Sequence, residues 1–180
     1  MEKKNDLEET DYDYEEPMSL AEFIIHFNVH YRLLLKRYAR FKEIDNLFNT
    51  DIDVITYLDM IVVQLRAICI ENSRLTKNYT AQILLRKIGE NKLANRIDAM
   101  LDEAFIPESN FNIRKAIKTL ADGFICHYDN FDGIKADGWY WAETIEKRLR
   151  NPYDKPNLDY IIKTIVDCLG DGLTLKNLEM

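Results

Sequence analysis

The chain has 180 residues, of which 47% are hydrophobic and 31% charged, and its net charge is −7. This length suits one domain with a sizeable core, and only six glycines and four prolines argue against a many-turned β fold. The N-terminus does not have a basic start followed by an apolar stretch, and no apolar segment approaches the roughly 20 residues of a membrane span. We therefore expect a cytoplasmic protein without membrane contact.

The negative charge is concentrated at the start of the chain. Residues 1–16 carry eight acids and two lysines, a net of −6, which leaves about −1 for residues 17–180. With few aliphatic residues and no helical pattern, residues 1–17 are predicted to be a disordered acidic tail. Two interpretations stay open: a solvating tail, or a segment that docks on a basic surface, including one of this protein itself. Residues 18–180 are predicted to form a single helical domain.

Two long helices are predicted next. The first begins at Ser19, because Glu22 three positions later completes a capping box, and it runs to about Asn46. Its inward stripe has the alternating spacing of four and three that is typical of a packed helix: Phe23, Phe27, Tyr31, Leu34, Tyr38 and Phe41. A second helix, capped by Asp51, is predicted to end at Ile70 and to be central, because it is apolar on most sides. The residues expected to face inward are Ile52, Ile55, Leu58, Val62, Leu65 and Cys69.

Shorter helices are predicted in the rest of the chain. Thr80 caps one that ends near Gly89, and NKLANRIDAMLDEAF forms another. After Ile106-Pro107 a helix begins near Asn110 or Asn112 and continues to about residue 128. Two more span 139–150 and 158–169, the last stopped by Gly170. Trp139, Tyr140 and Trp141 are predicted either to fill the core or to form an exposed anchor.

The three cysteines, Cys69, Cys126 and Cys168, are widely spaced in apolar helical contexts. This pattern indicates buried, reduced thiols rather than disulfides or zinc ligands. The sequence also contains no phosphate-binding glycine loop, no Gly-x-Ser-x-Gly and no His-Glu-x-x-His. We therefore predict no cofactor, and in particular no small-molecule cofactor.

The histidines are the remaining candidates for chemistry. His26 and His30 lie one helical turn apart, so both could bind a metal with His127 or Asp129 as a third ligand, although their charged neighbours favour a solvated flank. His127 follows the apolar stripe of Ile113, Ile117, Leu120 and Phe124, and Asp129 is near enough to orient its ring. Such a pair suits a general acid or base, and equally a hydrogen-bonded histidine beside the core. Asp122 is predicted to be a surface charge.

Two segments carry a family resemblance. ADGFICHYD, residues 121–129, resembles the terminal motif of the HEPN superfamily, particularly its abortive-infection branch, in which Arg-Asn-Lys-x-x-Ala-His-x-Asp ends a helix. SRLTKNYTAQILLRKI, residues 73–88, is similar to that branch's Ala-Arg-Leu-Thr-Asp followed by a capped helix. The resemblance covers a core of about residues 19–131. It implies an all-α, up-and-down bundle of HEPN type, here with two additional C-terminal helices.

The resemblance also implies dimerisation and, in active members, RNA cleavage without metal. His127 would move protons, Asp129 matches the motif, and an arginine would stabilise charge on the phosphate. The position of that arginine is Ala121, with Gly123 in place of the lysine. A substitute cation would come from Arg66, Arg74 or Arg114, or from a dimer mate; Lys118 is expected on the opposite side of the helix.

Three functions are therefore weighed. The first is a catalytically degenerate HEPN-like protein that acts by protein association, in phage defence or a toxin–antitoxin system, as a homodimer or with another protein. The second is a metal-independent ribonuclease that uses His127 and Asp129, with Arg74 or Arg114 as phosphate partner and RNA as substrate. The third is a metal-binding bundle that uses His26 and His30.

Overall fold

The protein is all-α in a computed structural model that describes residues 19–45, 52–71, 80–107, 110–122 and 136–173, excepting the side chains of 136–141. These residues form seven helices and no strand: α1 (Leu20–Ile44), α2 (Ile52–Cys69), α3 (Ala81–Lys87), α4 (Asn91–Asp102), α5 (Ile113–Leu120), α6 (Ala136–Arg150) and α7 (Leu158–Leu169). The prediction of an all-α fold is confirmed.

Local sequence signals place most helix ends. The Ser19 side chain accepts a hydrogen bond from the Glu22 backbone, and the Glu22 carboxylate accepts one from the Ser19 N–H at 2.7 Å, so the predicted capping box is present. Thr80 caps α3 as predicted, and Asn112 caps α5. Gly170 follows α7 with φ of +54°, a conformation that glycine adopts without steric cost. The predicted cap Asp51 lies outside the described residues.

One core joins all seven helices. Helix α1 packs along α2, and the largest fully buried side chains of α1 are Tyr31, Phe41, Ile24 and Leu34. Phe23 and Tyr38 are only half-buried at its edge. The prediction that Ile52 faces inward is wrong, since 70% of it is exposed. Ile52 lies in the first turn of α2, and in that turn Val54 is the buried residue.

The C-terminal helices are part of this core. Helix α7 packs against α4, and Asp159 at its start accepts hydrogen bonds from Tyr38 at 2.7 Å and Lys42 at 2.9 Å on α1. Tyr31 donates a hydrogen bond to the Gly170 carbonyl oxygen at 3.0 Å. These hydrogen bonds hold α1 and α7 together.

Two further predictions concern cysteines and membranes. Cys69 and Cys168 are buried free thiols, as predicted, and Cys126 lies outside the described residues. Burial raises the pKa of the Cys69 thiol to about 12, which keeps it protonated. No helix in the described part of the chain is long and apolar enough to cross a membrane.

Helix α5 matters most for the predicted site. Ile113, Ala116, Ile117 and Leu120 are buried, so its inward stripe is as predicted over this stretch. Ala121 continues in helical conformation, with φ of −64° and ψ of −48°. The predicted extension to residue 128 lies beyond Asp122, outside the described residues, as do Phe124, His127 and Asp129.

Candidate functional site

The end of α5 is the described part of the predicted site. Ala121, at the position where the resemblance expects an arginine, has no exposed surface. Its methyl group belongs to the same core as Leu120 and Ile117. A guanidinium at this position would have to be buried or would have to displace core residues, which is costly. This position therefore supplies apolar contact and no charge.

Arg66 of α2 brings a cation to this end of α5. Its Nε lies 2.7 Å from Oδ1 of Asp122, the residue after Ala121, and its Nη1 lies 3.2 Å from Oε2 of Glu71. All three side chains are about a quarter to two-fifths exposed. One guanidinium is thus shared between two carboxylates, and the trio carries a net charge of about −1. Of the two arginines considered from the sequence that the structure describes, Arg66 and Arg114, Arg66 is the one placed at this end.

Arg114 is engaged elsewhere. Its guanidinium lies 3.2 Å from Asp102 and 3.4 Å from Asp98, both on α4. Burial would raise the pKa of Asp98, but hydrogen bonds from Arg86 and Gln82 outweigh it, so the pKa lies below its usual value. Arg114 is also eight residues before Asp122, about 12 Å along a helix. It links α5 to α4, and its predicted role as phosphate partner stays a prediction. Arg74, the other proposed phosphate partner, lies outside the described residues.

His26 and His30 lie on the exposed side of α1, one turn apart as predicted. The backbone carbonyl of His30 accepts a hydrogen bond from Gln64 of α2 at 3.3 Å. This bond links α1 to α2 and does not involve the imidazole ring of His30. Within the part of the chain that the structure describes, no three His, Cys, Asp or Glu side chains group to hold a metal ion. The predicted third ligands, His127 and Asp129, are outside that part.

Comparison with protein-family models, curated proteins and solved structures finds no match.

A second surface was missed by the sequence reasoning. Three aliphatic residues on α1 are exposed, Ile25 by 51%, Val29 by 59% and Leu33 by 37%. We call these three residues the outer stripe. They are spaced by four, so they follow one line along the helix, opposite the buried line of Ile24, Tyr31 and Leu34. The spacing was visible in the sequence, but the aromatic stripe of the same helix was the stronger signal.

The outer stripe has opposite charges at its two ends. Glu22 precedes it by one turn, and hydrogen bonds from Ser19 lower the pKa of Glu22, so this side chain is ionised. Lys36 follows it by one turn. Beside the stripe, α1 and α2 enclose an open groove of about 470 Å³, whose lining includes Leu33, Lys36, Arg37, Arg40, Tyr57 and Met60.

Proposed function

We propose that this protein is a HEPN-like bundle that has lost ribonuclease activity and acts as a homodimer formed through the outer stripe of α1. The observation that carries the proposal is the symmetry of the stripe about Val29. Ile25 and Leu33 lie four residues before and after Val29, and Glu22 and Lys36 lie seven residues before and after it. The stripe is exposed over about two and a half turns, on the side of α1 that faces away from the core.

This pattern suits an antiparallel pair of α1 helices. A two-fold axis through Val29 sets Ile25 opposite Leu33 of the second copy, and Val29 opposite Val29. The same axis sets Glu22 opposite Lys36 of the second copy, at both ends of the interface. A two-fold interface uses the same patch on both subunits, so the patch must complement itself. This patch does, because aliphatic side chains face aliphatic side chains and an acidic residue faces a basic one.

Loss of catalysis is supported by the end of α5. Ala121 is buried, and Arg66 is already paired with Asp122 and Glu71. Arg114 is paired with Asp98 and Asp102. A phosphate would have to compete with these carboxylates for either guanidinium. With the family resemblance, this supports a role by association, in phage defence or a toxin–antitoxin system.

Size-exclusion chromatography with light scattering tests the homodimer. We expect a dimer for the full chain and a monomer for Val29→Glu, because the substitution sets two like charges opposite each other at the axis. The matched control is Ile52→Glu, which replaces another exposed aliphatic residue outside the stripe. A wild-type chain that stays monomeric up to submillimolar concentration would overturn the proposal.

Arg66 favours a second candidate function, a ribonuclease in which this arginine replaces the missing one. The guanidinium of Arg66 contacts Asp122, the residue that follows Ala121. In that case the purified protein would cleave structured RNA without added metal, and His127→Ala and Arg66→Gln would each abolish cleavage. We expect no cleavage; cleavage that both substitutions abolish would replace our proposal with this one.

A further inference from the structure

The groove between α1 and α2 has the chemistry of a binding site for an acidic, partly aromatic segment. Lys36, Arg37 and Arg40 line it from α1, together with Leu33, and Tyr57 and Met60 line it from α2. Met60 is 40% exposed, so the groove presents apolar surface as well as charge. An occupant should therefore combine carboxylates with apolar side chains.

The positive charge of the groove is only partly neutralised. Arg40 forms an ion pair with Glu43 at 2.8 Å. Among the described residues that line the groove, Asp53 is the one carboxylate. Lys36 and Arg37 form no ion pair with any residue that the structure describes. These two cations are available to an anionic occupant.

We infer that this occupant is the acidic segment of the same chain, residues 1–16, which folds back along α1. The segment carries a net charge of −6, while the remainder of the chain carries about −1. Its acids alternate with apolar residues in DYDYEE, residues 11–16, and Leu7 precedes them. Carboxylates would face Lys36 and Arg37, while Leu7 or the tyrosines Tyr12 and Tyr14 cover Met60 and Leu33.

The segment is long enough to reach. Lys36 lies 17 residues after Ser19, about 26 Å along the helix. An extended chain spans at most about 3.3 Å per residue, so about eight residues cover that distance. Residue 11 can therefore lie beside Lys36, and residues 8–9 can lie beside Arg40. Glu8, Glu9 and Asp11 fall within this part of the segment.

The intramolecular complex does not require the homodimer. The groove shares Leu33 and Lys36 with the proposed homodimer interface, so the segment and the second copy would compete for these two residues, but Val29 does not line the groove. Full-length Val29→Glu therefore removes the proposed dimer and keeps the groove. In this variant, a cross-link between the segment and Lys36 must form within one chain.

Zero-length carbodiimide cross-linking of full-length Val29→Glu, read by peptide mass spectrometry, tests the inference. We expect Lys36 to be coupled to a carboxylate of residues 6–13 at about fivefold higher yield than the exposed Lys92 of α4 or Lys163 of α7. About 0.5 M salt should lower this yield several-fold, because screening weakens exposed charge pairs. Arg37→Gln should lower it too, and Arg32→Gln, an exposed position of α1 outside the groove, should not.

Three results would overturn the inference. They are equal yields at Lys36 and Lys92, no coupling of Lys36 to the segment, and coupling that appears in the wild-type dimer but not in the Val29→Glu monomer. A separate product, the coupling of Glu22 to Lys36, reports the homodimer, so failure of one proposal is distinguishable from failure of the other.

Discussion

Arg66 and Asp122 join the centre of the bundle to the end of α5, with Nε of the arginine 2.7 Å from the carboxylate. The two residues are 56 positions apart in the chain, and the contact between them depends on how α2 packs against α5. Glu71 holds the other side of the guanidinium at 3.2 Å. The pair therefore ties the end of α5 to α2.

We expect Asp122→Asn to lower the free energy of unfolding by about 1 kcal/mol, because it removes the charge from a partly buried hydrogen-bonded pair. Urea unfolding followed by circular dichroism measures this. Glu143→Gln is the matched control, since it disrupts the exposed pair of Glu143 and Lys147 on α6 and should cost less than about 0.5 kcal/mol. Equal losses for the two variants would show that Asp122 is no more than a surface charge.

Ala121→Arg introduces the arginine that the HEPN resemblance expects at this position and tests whether the position can hold one. Because Ala121 is fully buried, we expect a loss of at least about 3 kcal/mol in the free energy of unfolding and no gain of RNA cleavage. Ala39→Arg, at an exposed position of α1, should change stability by less than about 0.5 kcal/mol. A stable Ala121→Arg variant that cleaves RNA would show that the site is one substitution from activity.

Asp59 of α2 predicts a pH dependence of stability. Burial raises the pKa of Asp59 to about 6 from its model-compound value of 3.8. Between these values the unfolded chain loses this proton while the folded chain keeps it, so folding stability falls as the pH rises from about 4 to above 6. At 1.36 kcal/mol per pKa unit the loss is at most about 3 kcal/mol, and partial exposure makes about 2 kcal/mol the expected value.

Asp59→Asn removes this loss. We expect the variant to match the wild type near pH 4 and to exceed it by about 2 kcal/mol at pH 8, measured by urea unfolding across the pH range. Glu90→Gln, at an exposed position without a side-chain capping bond, should show no such divergence. A constant difference between Asp59→Asn and the wild type at all pH values would contradict the raised pKa.

Local chemistry explains which parts of the fold could be predicted. The capping box of Ser19 and Glu22, the Thr80 cap and the Gly170 stop each involve residues within a few positions of one another, and all three were predictable. The start of α6 was predicted three residues late, at residue 139 rather than Ala136.

Tertiary contacts explain what could not be predicted. Arg66 was one of several possible cations, and only the packing of α2 on α5 sets it beside Asp122. Arg114 was predicted to serve a phosphate, yet its partners Asp98 and Asp102 belong to α4, which helical periodicity does not relate to α5. The outer stripe was hidden for a different reason, because α1 has two apolar lines and the aromatic one was assigned to the core.

The homodimer is tested most directly by cross-linking Glu22 to Lys36 in an equal mixture of ¹⁵N-labelled and unlabelled wild-type protein. Within one chain these residues are 14 positions apart on α1, about 21 Å, so a zero-length cross-link between them must join two copies. We predict mixed-isotope Glu22–Lys36 peptides that persist in Ile52→Glu and disappear in Val29→Glu. Absence of this cross-link at concentrations up to submillimolar, with a monomeric mass in solution, would contradict the account.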